Sequence, residues 1–355
     1  MSGNSEKVRI GVIGLGRVAT STHIPALKLL DGVEIRACAE TNMDRVKRVE
    51  EFLNLENVFT DYNEMNSSKL VDAVYVCVPP HAHYDVVMSA LENGLHVLCE
   101  KPMGANLDQA VKMNALAKKK GLILMPGFKY RYNKHFQKAR QVVSSGLLGA
   151  VIQVEASFMT PGPYISWDPK SDWYLDKENG GAVYDIGVHI VELVSSLVPN
   201  KIIGIYADAS KGYYEYDSPT NISCSFVMEN KVTGTMNFGW RSSADLLRIA
   251  IYGTGGAVVA GLKGLDYFNA GTDPKDRILN HLRNSLSEFK TVSMQVASII
   301  KGSEVSNYDL EQAKSFVKAV KKRKPPAVTG DTAVYVHRVL EGIERSIRSN
   351  NQFVL

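Results

Sequence analysis

Long apolar runs and any strong excess of one charge are missing from this chain of 355 residues. None of its apolar stretches approaches the roughly 18 residues that a membrane-spanning helix needs, which argues against a membrane protein. The polar start, MSGNS, is not followed by a hydrophobic segment before the first predicted strand. We therefore expect no secretory signal, no membrane partner and a cytoplasmic location.

Cysteine is scarce, and its four positions, Cys38, Cys77, Cys99 and Cys224, lie far apart. Because no Cys-x-x-Cys pair exists, the sequence predicts neither a zinc site nor a dithiol redox centre, and we expect no bound metal. Three of the four lie in apolar, strand-like segments, as is typical of small buried hydrophobic residues in a reducing compartment.

The net charge of +4 is modest, and there is one dense basic run, Lys321–Lys324. This run ends a predicted helix and precedes two prolines, which is ordinary at a helix C-terminus. A nucleic-acid surface would need more basic residues with aromatic residues between them. We therefore expect no nucleic-acid partner.

The first 127 residues alternate short apolar runs with amphipathic stretches, which predicts strands and helices in turn. The predicted strands are Val8–Ile13, Glu34–Ala39, Ala73–Val78, His96–Cys99 and Leu122–Met125. The predicted helices are Val18–Leu30, Asp44–Leu53, His83–Glu92 and Leu107–Lys120, with C-caps expected at Gly32, Gly94 and Gly121. This repetition predicts right-handed crossovers and a doubly wound parallel α/β sheet, an architecture that binds nucleotides.

Since 355 residues exceed what one compact core usually holds, we expect a second domain, from residue 128 to 355. Its predicted strands are Val151–Phe158, Ile202–Asp208, Ile222–Met228, Lys231–Phe238 and Leu247–Tyr252. Its predicted helices are Lys134–Ser145, Gly181–Leu197, Tyr308–Lys322 and Asp331–Arg348. Short turns between strands indicate antiparallel meanders, and helices of this α+β half can cover one face of the sheet. Residues 271–303 show no clear pattern.

The turn that follows the first strand reads Gly14-Leu15-Gly16-Arg17-Val18-Ala19. In such a G-x-G-x-x-A turn the first glycine permits a tight bend and the second lets the backbone approach a pyrophosphate. The free N–H groups at the helix start then face the anion. A plain strand–helix turn is the alternative. The flanking strands and helix favour dinucleotide binding, so we expect the cofactor to contact residues 14–18.

Glu40 ends the second predicted strand, about 20 residues beyond the turn, where a carboxylate can accept hydrogen bonds from both ribose hydroxyls. A negative charge at this place repels a 2′-phosphate, which favours NAD over NADP. Arg45 lies nearby in the sequence and keeps NADP open as a cofactor, although it can equally be a solvated helix residue. Glu40 and Arg45 are both predicted cofactor-binding residues.

Two further sites carry chemically active side chains. Lys101 follows the fourth predicted strand, at the sheet edge where ligands bind, and can stabilise negative charge on a substrate oxygen. Asp185 and His189 are four residues apart on one predicted helix, beside its apolar stripe, where the carboxylate can raise the basicity of the imidazole. The alternatives are a surface lysine and a histidine bonded within its own helix.

Together these elements resemble the Gfo/Idh/MocA oxidoreductases, a family named for glucose–fructose oxidoreductase and inositol dehydrogenase. The matching segments are GLGRVA, VPPHAHYDVVMSALENGLHVLCEKP, GFKYRYN and GGAVYDIGVHIVEL, in the family's order. The resemblance covers nearly the whole chain, and its EKP and D-x-x-x-H elements are more specific than the glycine turn. It implies a Rossmann domain over residues 1–127 and, over 128–355, a substrate and oligomer domain with an open, mostly antiparallel sheet.

The resemblance also implies roles for single residues. Lys101 would contact a substrate hydroxyl, while Asp185 and His189 would relay its proton, with His189 as the general base. The cofactor residues that it implies are Val78, Pro79, His83, Glu100 and Lys101. The substrate residues that it implies are Lys129, Arg131, Trp173, Asp185 and His189.

Family substrates are typically cyclitols, sugars and phosphorylated or nucleotide-linked sugars, which implies hydride transfer between NAD and a secondary hydroxyl. The cations Lys129 and Arg131 favour an anionic substituent on the substrate, unless they are solvated or lie at a subunit contact. Ala182 stands where the family often has a third glycine, a change of one methyl group. Two alternatives remain: a non-catalytic nucleotide-binding regulator, and an enzyme that recycles a permanently bound cofactor. A homodimer or homotetramer built on the open sheet is expected.

Overall fold

The computed structural model describes residues 7–50, 56–162, 181–211, 218–240, 242, 245–269 and 305–355. By its contacts the chain divides into two compact units. The first consists of Met1–Lys129 with Ser303–Tyr335, and the second of Tyr130–Gly302 with Val336–Leu355. Trp173, which the family resemblance implies as a substrate residue, lies outside the described residues, as does the segment 271–303.

Within the ranges that the structure describes, each unit contains one sheet. The strands of the first are β1 (Val8–Ile13), β2 (Val33–Ala39), β3 (Val58–Phe59), β4 (Ala73–Val76), β5 (His96–Cys99) and β6 (Leu124–Pro126). The strands of the second are β7 (Val151–Met159), β8 (Ile202–Ser210), β9 (Asn221–Met228), β10 (Thr233–Gly239), β11 (Leu246–Gly253), β12 (Gly256–Gly261), β13 (Leu265–Asn269) and β14 (Phe353–Val354).

The α-helices of the described residues are numbered in chain order. They are α1 (Ile24–Lys28), α2 (Met43–Glu50), α3 (Tyr62–Ser67), α4 (Pro80–Glu92), α5 (Leu107–Lys120), α6 (Lys134–Ser144), α7 (Val188–Leu197), α8 (Asn307–Lys322) and α9 (Gly330–Ser349). Two helices begin with a π-helical turn: Ala19–His23 leads into α1, and Val183–Gly187 leads into α7. A 3-10 turn, Lys129–Tyr132, precedes α6.

The sheet of the first unit is parallel throughout, in the order β3-β2-β1-β4-β5-β6. Every residue of β4 is buried, as expected for a strand covered on both faces. The strand order reverses between β1 and β4, which is the crevice where doubly wound sheets bind ligands. The predicted α/β Rossmann architecture is confirmed, including the positive φ angles of Gly32, Gly94 and Gly121.

The sheet of the second unit is mixed, in the order β13-β12-β11-β7-β10-β9-β8-β14. The pair of β7 and β10 is parallel, while the other pairs are antiparallel. Burial alternates along β9, so one face of the sheet carries the core. Helix α7 is buried along almost its whole length and packs on β7. The prediction of an open, mostly antiparallel sheet is confirmed.

Two further observations concern membrane-spanning helices and the cysteines. They include no helix that combines the length and the apolar character required to cross a membrane. All four cysteines are buried and carry no disulfide, as predicted. Burial raises the pKa of each thiol, to about 11 at Cys38 and about 12 at Cys224, so none is a thiolate near neutral pH.

Candidate active site

The glycine turn lies directly after β1, and its two glycines meet different surroundings. Gly14 has a φ of +86°, and a Cβ there would come within 2.9 Å of the Cys77 carbonyl. Its N–H donates to the Ala39 carbonyl at 2.9 Å. A Cβ on Gly16 would meet no protein atom within 4 Å. Packing therefore explains the first glycine, while the bare backbone at Gly16 fits the close approach of a pyrophosphate.

Glu40 follows β2 and is tied to the same turn. Its Oε2 accepts a hydrogen bond from the Leu15 N–H at 2.8 Å, and its Oε1 accepts one from the Asn42 N–H at 2.9 Å. The Arg45 Nη1 atom lies 3.7 Å from the same Oε2. The carboxylate is buried, but its remaining lone pairs can still accept from ribose hydroxyls. The structure thus brings Leu15, Glu40 and Arg45 together.

Glu100 follows β5 and lies beside a histidine that the sequence analysis did not identify. The His23 Nε2 atom is 2.7 Å from Glu100 Oε1, and Glu100 Oε2 accepts from the Lys101 N–H at 3.2 Å. Burial raises the pKa of Glu100, but the hydrogen bond and charge of His23, with Lys101 and Lys129, lower it to about 2. His23 lies four residues after Ala19 on the predicted helix, and this position on one helix face was the sequence signal available for it.

His83 connects the turn after β4 with the loop that carries Lys101. This side chain is fully buried, with Nδ1 2.7 Å from the Pro102 carbonyl oxygen and Nε2 2.9 Å from that of Val78. Burial lowers the pKa of His83, while the two hydrogen bonds act in the opposite direction. Pro79 lies between Val78 and His83 in the chain and occupies the N-cap position of α4, without a side-chain capping hydrogen bond.

Lys129 follows β6 and contacts the start of α8. Its Nζ atom lies 3.8 Å from Asp309 Oδ1 and 5.9 Å from the centre of the Tyr308 ring. The buried Gln312 amide, oriented with its oxygen towards this segment, accepts from the Phe128 and Lys129 N–H groups at 3.3 and 3.2 Å. Lys129 therefore has a buried carboxylate as a neighbour, a contact that no local pattern in the sequence predicts.

Asp185 and His189 lie in the second unit, and both are buried. Asp185 belongs to the π-helical turn, and its Oδ2 accepts from the Trp240 indole N–H at 2.9 Å. The His189 ring packs edge-on against Tyr130, with centroids 4.8 Å apart, and lies 6.1 Å from the Phe158 centroid. The helix predicted over Gly181–Leu197 is present, but its first turn is wider than an α-helix.

Arg131 belongs to the same unit and forms a buried ion pair with Glu192 of α7. Its Nε donates to Glu192 Oε1 at 2.5 Å, and its Nη2 contacts the same oxygen. Burial raises the pKa of Glu192, and the charge of Arg131 acts against that rise. The predicted substrate residue Arg131 thus already has an acidic partner.

The remaining predicted residues divide between the two units. In the first, Arg17 is exposed and Val18 is half-buried just beyond Gly16. Lys101 belongs to the first unit and His189 to the second. Among the residues with described positions, no group of three histidine, cysteine or acidic side chains could hold a metal ion. His23, Trp240 and Asp309 are among the site neighbours that the sequence analysis missed.

The doubly wound sheet, the glycine turn and the acidic residue after β2 indicate a dinucleotide-binding protein. Residues 8–128 match the family model described as an oxidoreductase family with an NAD-binding Rossmann fold, GFO_IDH_MocA. Residues 136–259 match the GFO/IDH/MocA C-terminal domain. The chain belongs to the Gfo/Idh/MocA oxidoreductase family, and the predicted resemblance is confirmed.

Characterised relatives agree with this assignment. Myo-inositol 2-dehydrogenase of Thermotoga maritima is 27% identical over 329 residues, covering 91% of each chain. D-glucoside 3-dehydrogenase of Escherichia coli is 28% identical over 244 residues, covering 66% of this chain and 68% of its own. The WlbA dehydrogenase from Bordetella pertussis, solved with NADH and UDP-GlcNAcA, superposes with a TM-score of 0.84 at 19% identity, covering 99% of this chain and 98% of its own. These comparisons support dehydrogenase activity at the family level and give no support to the regulator or to the recycled cofactor.

Proposed function

We propose that the protein catalyses reversible hydride transfer between NAD and a secondary hydroxyl of a sugar, cyclitol or sugar derivative. The bound nicotinamide supplies the hydride acceptor or donor. The observation that carries this proposal is the burial of Asp185 and His189 against aromatic rings and an indole N–H. Ionisable groups are costly to bury, so such a cluster is a candidate for acid–base chemistry.

Lys101 would hold the reacting oxygen of the substrate. It follows β5, at the carboxyl edge of the parallel sheet, where ligands of doubly wound folds bind. Its ammonium group would donate a hydrogen bond to the hydroxyl and, in the reverse direction, polarise the carbonyl. The ionised Glu100 carboxylate beside it balances the positive charge.

His189 would accept the hydroxyl proton at a ring nitrogen while the hydride leaves the same carbon. Asp185 would stabilise the imidazolium that forms. The Trp240 N–H restrains the Asp185 carboxylate, and Tyr130 restrains the plane of the His189 ring. This arrangement supports proton removal by the His189 imidazole.

Glu40 supports NAD rather than NADP as the cofactor. Its buried carboxylate would lie against the adenosine ribose and repel a 2′-phosphate, although Arg45 at 3.7 Å reduces that repulsion. We expect tighter binding of NADH than NADPH, measured by nicotinamide fluorescence. Equal affinities would remove the preference without affecting the rest of the proposal.

The relatives are named for inositol and glucoside substrates, which supports a neutral polyol or sugar. Lys129 and Arg131 favour an anionic substituent only if their charges are available. Asp309 and Glu192 already pair with these cations. An anionic substrate would have to displace these carboxylates, whereas a neutral one would not, so we propose a neutral substrate first. The proposal also includes assembly into a homodimer or homotetramer through the open sheet, since Tyr206 of β8 and Leu246 of β11 are exposed next to buried neighbours in their strands.

The proposed reaction is tested with a panel of cyclitols, sugars and sugar phosphates, each with NAD and NADP, followed by nicotinamide absorbance. Lys101→Ala and His189→Ala should each reduce turnover severely while leaving the Kd for NADH near the wild-type value. Lys112→Ala is the matched control, because Lys112 is an exposed lysine of α5 paired with Asp108. A lack of turnover across the whole panel, or normal turnover in both active-site variants, would contradict the assignment.

A further inference from the structure

Lys101 lies in the chain between two residues that are each bound by a buried histidine. On one side, the Glu100 carboxylate is bound by His23. On the other, the Pro102 carbonyl is bound by His83. Each histidine is at most 3% exposed, so neither is in free exchange with bulk solvent. The loop that presents Lys101 is thus anchored immediately before and immediately after the lysine.

The anchor at Glu100 extends to the backbone of the lysine itself. One carboxylate oxygen lies 2.7 Å from the His23 ring, and the other accepts the Lys101 N–H at 3.2 Å. The His23 ring packs against Tyr75 of β4, with centroids 5.1 Å apart. A chain of contacts therefore runs from the buried sheet through His23 and Glu100 to the Lys101 backbone.

The anchor at Pro102 runs to a second strand end. His83 lies in the first turn of α4, and its other ring nitrogen is 2.9 Å from the Val78 carbonyl, just beyond β4. Both nitrogens of the ring thus face backbone oxygens, on two different segments. A neutral imidazole donates to one of the two carbonyl oxygens and packs against the other, so the buried ring still limits how far the two segments can move relative to each other.

We propose that His23 and His83 are positioning residues for Lys101, which set the place of its ammonium group without touching the substrate. This inference rests on the proposed function of Lys101. A displacement of about 1 Å at a reacting group can reduce the rate by about a hundredfold, so restraints on both sides of one residue have a direct catalytic consequence. The competing explanation is that both histidines only stabilise the fold, as satisfied buried polar groups commonly do.

A double-mutant cycle separates the two explanations. His23→Gln and His83→Gln each keep a hydrogen-bond donor but change its position. In the wild-type background we expect each to lower kcat by about tenfold or more. In the Lys101→Ala background each should change kcat by no more than about twofold, because the residue through which it acts is gone. A purely structural role would give the same loss in both backgrounds.

His96 supplies the matched control. It lies at the opposite end of β5, is partly buried, and also bonds to backbone, since its Nδ1 accepts the Ile123 N–H at 2.9 Å. His96→Gln should lower the melting temperature through the loss of its backbone hydrogen bond, with kcat near the wild-type value. Comparable losses of kcat in all three variants would overturn the proposal.

A second measurement does not depend on turnover. The rate at which an amine-acylating reagent modifies Lys101, followed by mass spectrometry with Lys112 as the internal reference, reports the surroundings of its ammonium group. We expect this rate to change in His23→Gln and His83→Gln but not in His96→Gln. Unchanged labelling in all three would refute the positioning role. If labelling changes while the wild-type enzyme oxidises no substrate in the panel, the proposed reaction is wrong and the positioning stands.

Discussion

Replacing the two glycines of the cofactor turn by alanine should affect different properties, namely stability at Gly14 and NADH binding at Gly16. At Gly14 the positive φ costs a non-glycine residue roughly 1–2 kcal/mol. The contact of 2.9 Å with the Cys77 carbonyl, which is rigid backbone, adds roughly 1–3 kcal/mol. Gly14→Ala should therefore lower the free energy of unfolding by about 2–5 kcal/mol.

At Gly16 neither cost applies, since a Cβ there meets no atom within 4 Å. Gly16→Ala should change the free energy of unfolding by no more than about 0.5 kcal/mol. Its methyl group would keep the pyrophosphate from the backbone, so NADH affinity should fall at least about tenfold, or about 1.4 kcal/mol. Gly94→Ala is the control for strain alone, because Gly94 has a φ of +81° with no neighbour within 4 Å.

Urea unfolding measures the free energy of unfolding, and titration of NADH fluorescence measures the affinity for NADH. Gly94→Ala should lose roughly 1–2 kcal/mol of stability and bind NADH normally, with Gly14→Ala less stable than Gly94→Ala. The reasoning fails if Gly16→Ala binds NADH as tightly as the wild type. It also fails if Gly14→Ala is no less stable than Gly94→Ala.

Three further predictions concern buried charges and donors. The pKa of Glu100 falls from 4.5 to about 2 on folding, so its ionised carboxylate contributes about 3 kcal/mol of stability above pH 4.5, which is lost as the pH falls towards 2. In urea unfolding over this pH range, the free energy of unfolding of Glu100→Gln should therefore depend less on pH than that of the wild type. Glu192→Gln leaves Arg131 without its charged partner and should cost about 3 kcal/mol in urea unfolding, more than a paired replacement by Leu and Met. Trp240→Phe removes the donor to Asp185, so it should lower the free energy of unfolding by about 1–2 kcal/mol and also lower kcat. Unchanged kinetics would show that this hydrogen bond does not support the reaction.

The fold of the first unit follows closely from local patterns. Val8–Ile13 and His96–Cys99 are strands with the predicted bounds, because buried parallel strands are continuous apolar runs between glycine-capped helices. The two-residue strand β3 was missed, since two residues carry no periodicity. Helix α8 was predicted, but its packing with α1 and β1 was not, because the sequence separation is nearly the length of the chain.

The candidate site shows the same limit. Lys101 and the Asp185–His189 pair could be found because motif spacing and strand ends are local features. Their supporting partners could not, since His23 and Glu100 are 77 residues apart and Trp240 and Asp185 are 55 apart. Local spacing identifies the side chains that carry chemistry. The contacts that hold those side chains in place join residues far apart in the chain, and such contacts leave no periodic pattern in a single sequence.

The hydrogen bond between Glu40 and the Leu15 N–H has a consequence for how cofactor preference can change. One carboxylate would both discriminate against a 2′-phosphate and complete the turn that receives the pyrophosphate. Replacing it with a small apolar residue would leave a buried N–H without an acceptor while altering selectivity. A change towards NADP must therefore keep a neutral acceptor at this position, such as the amide of glutamine. In this chain, a substitution that changes cofactor preference at position 40 would also change the stability of the glycine turn.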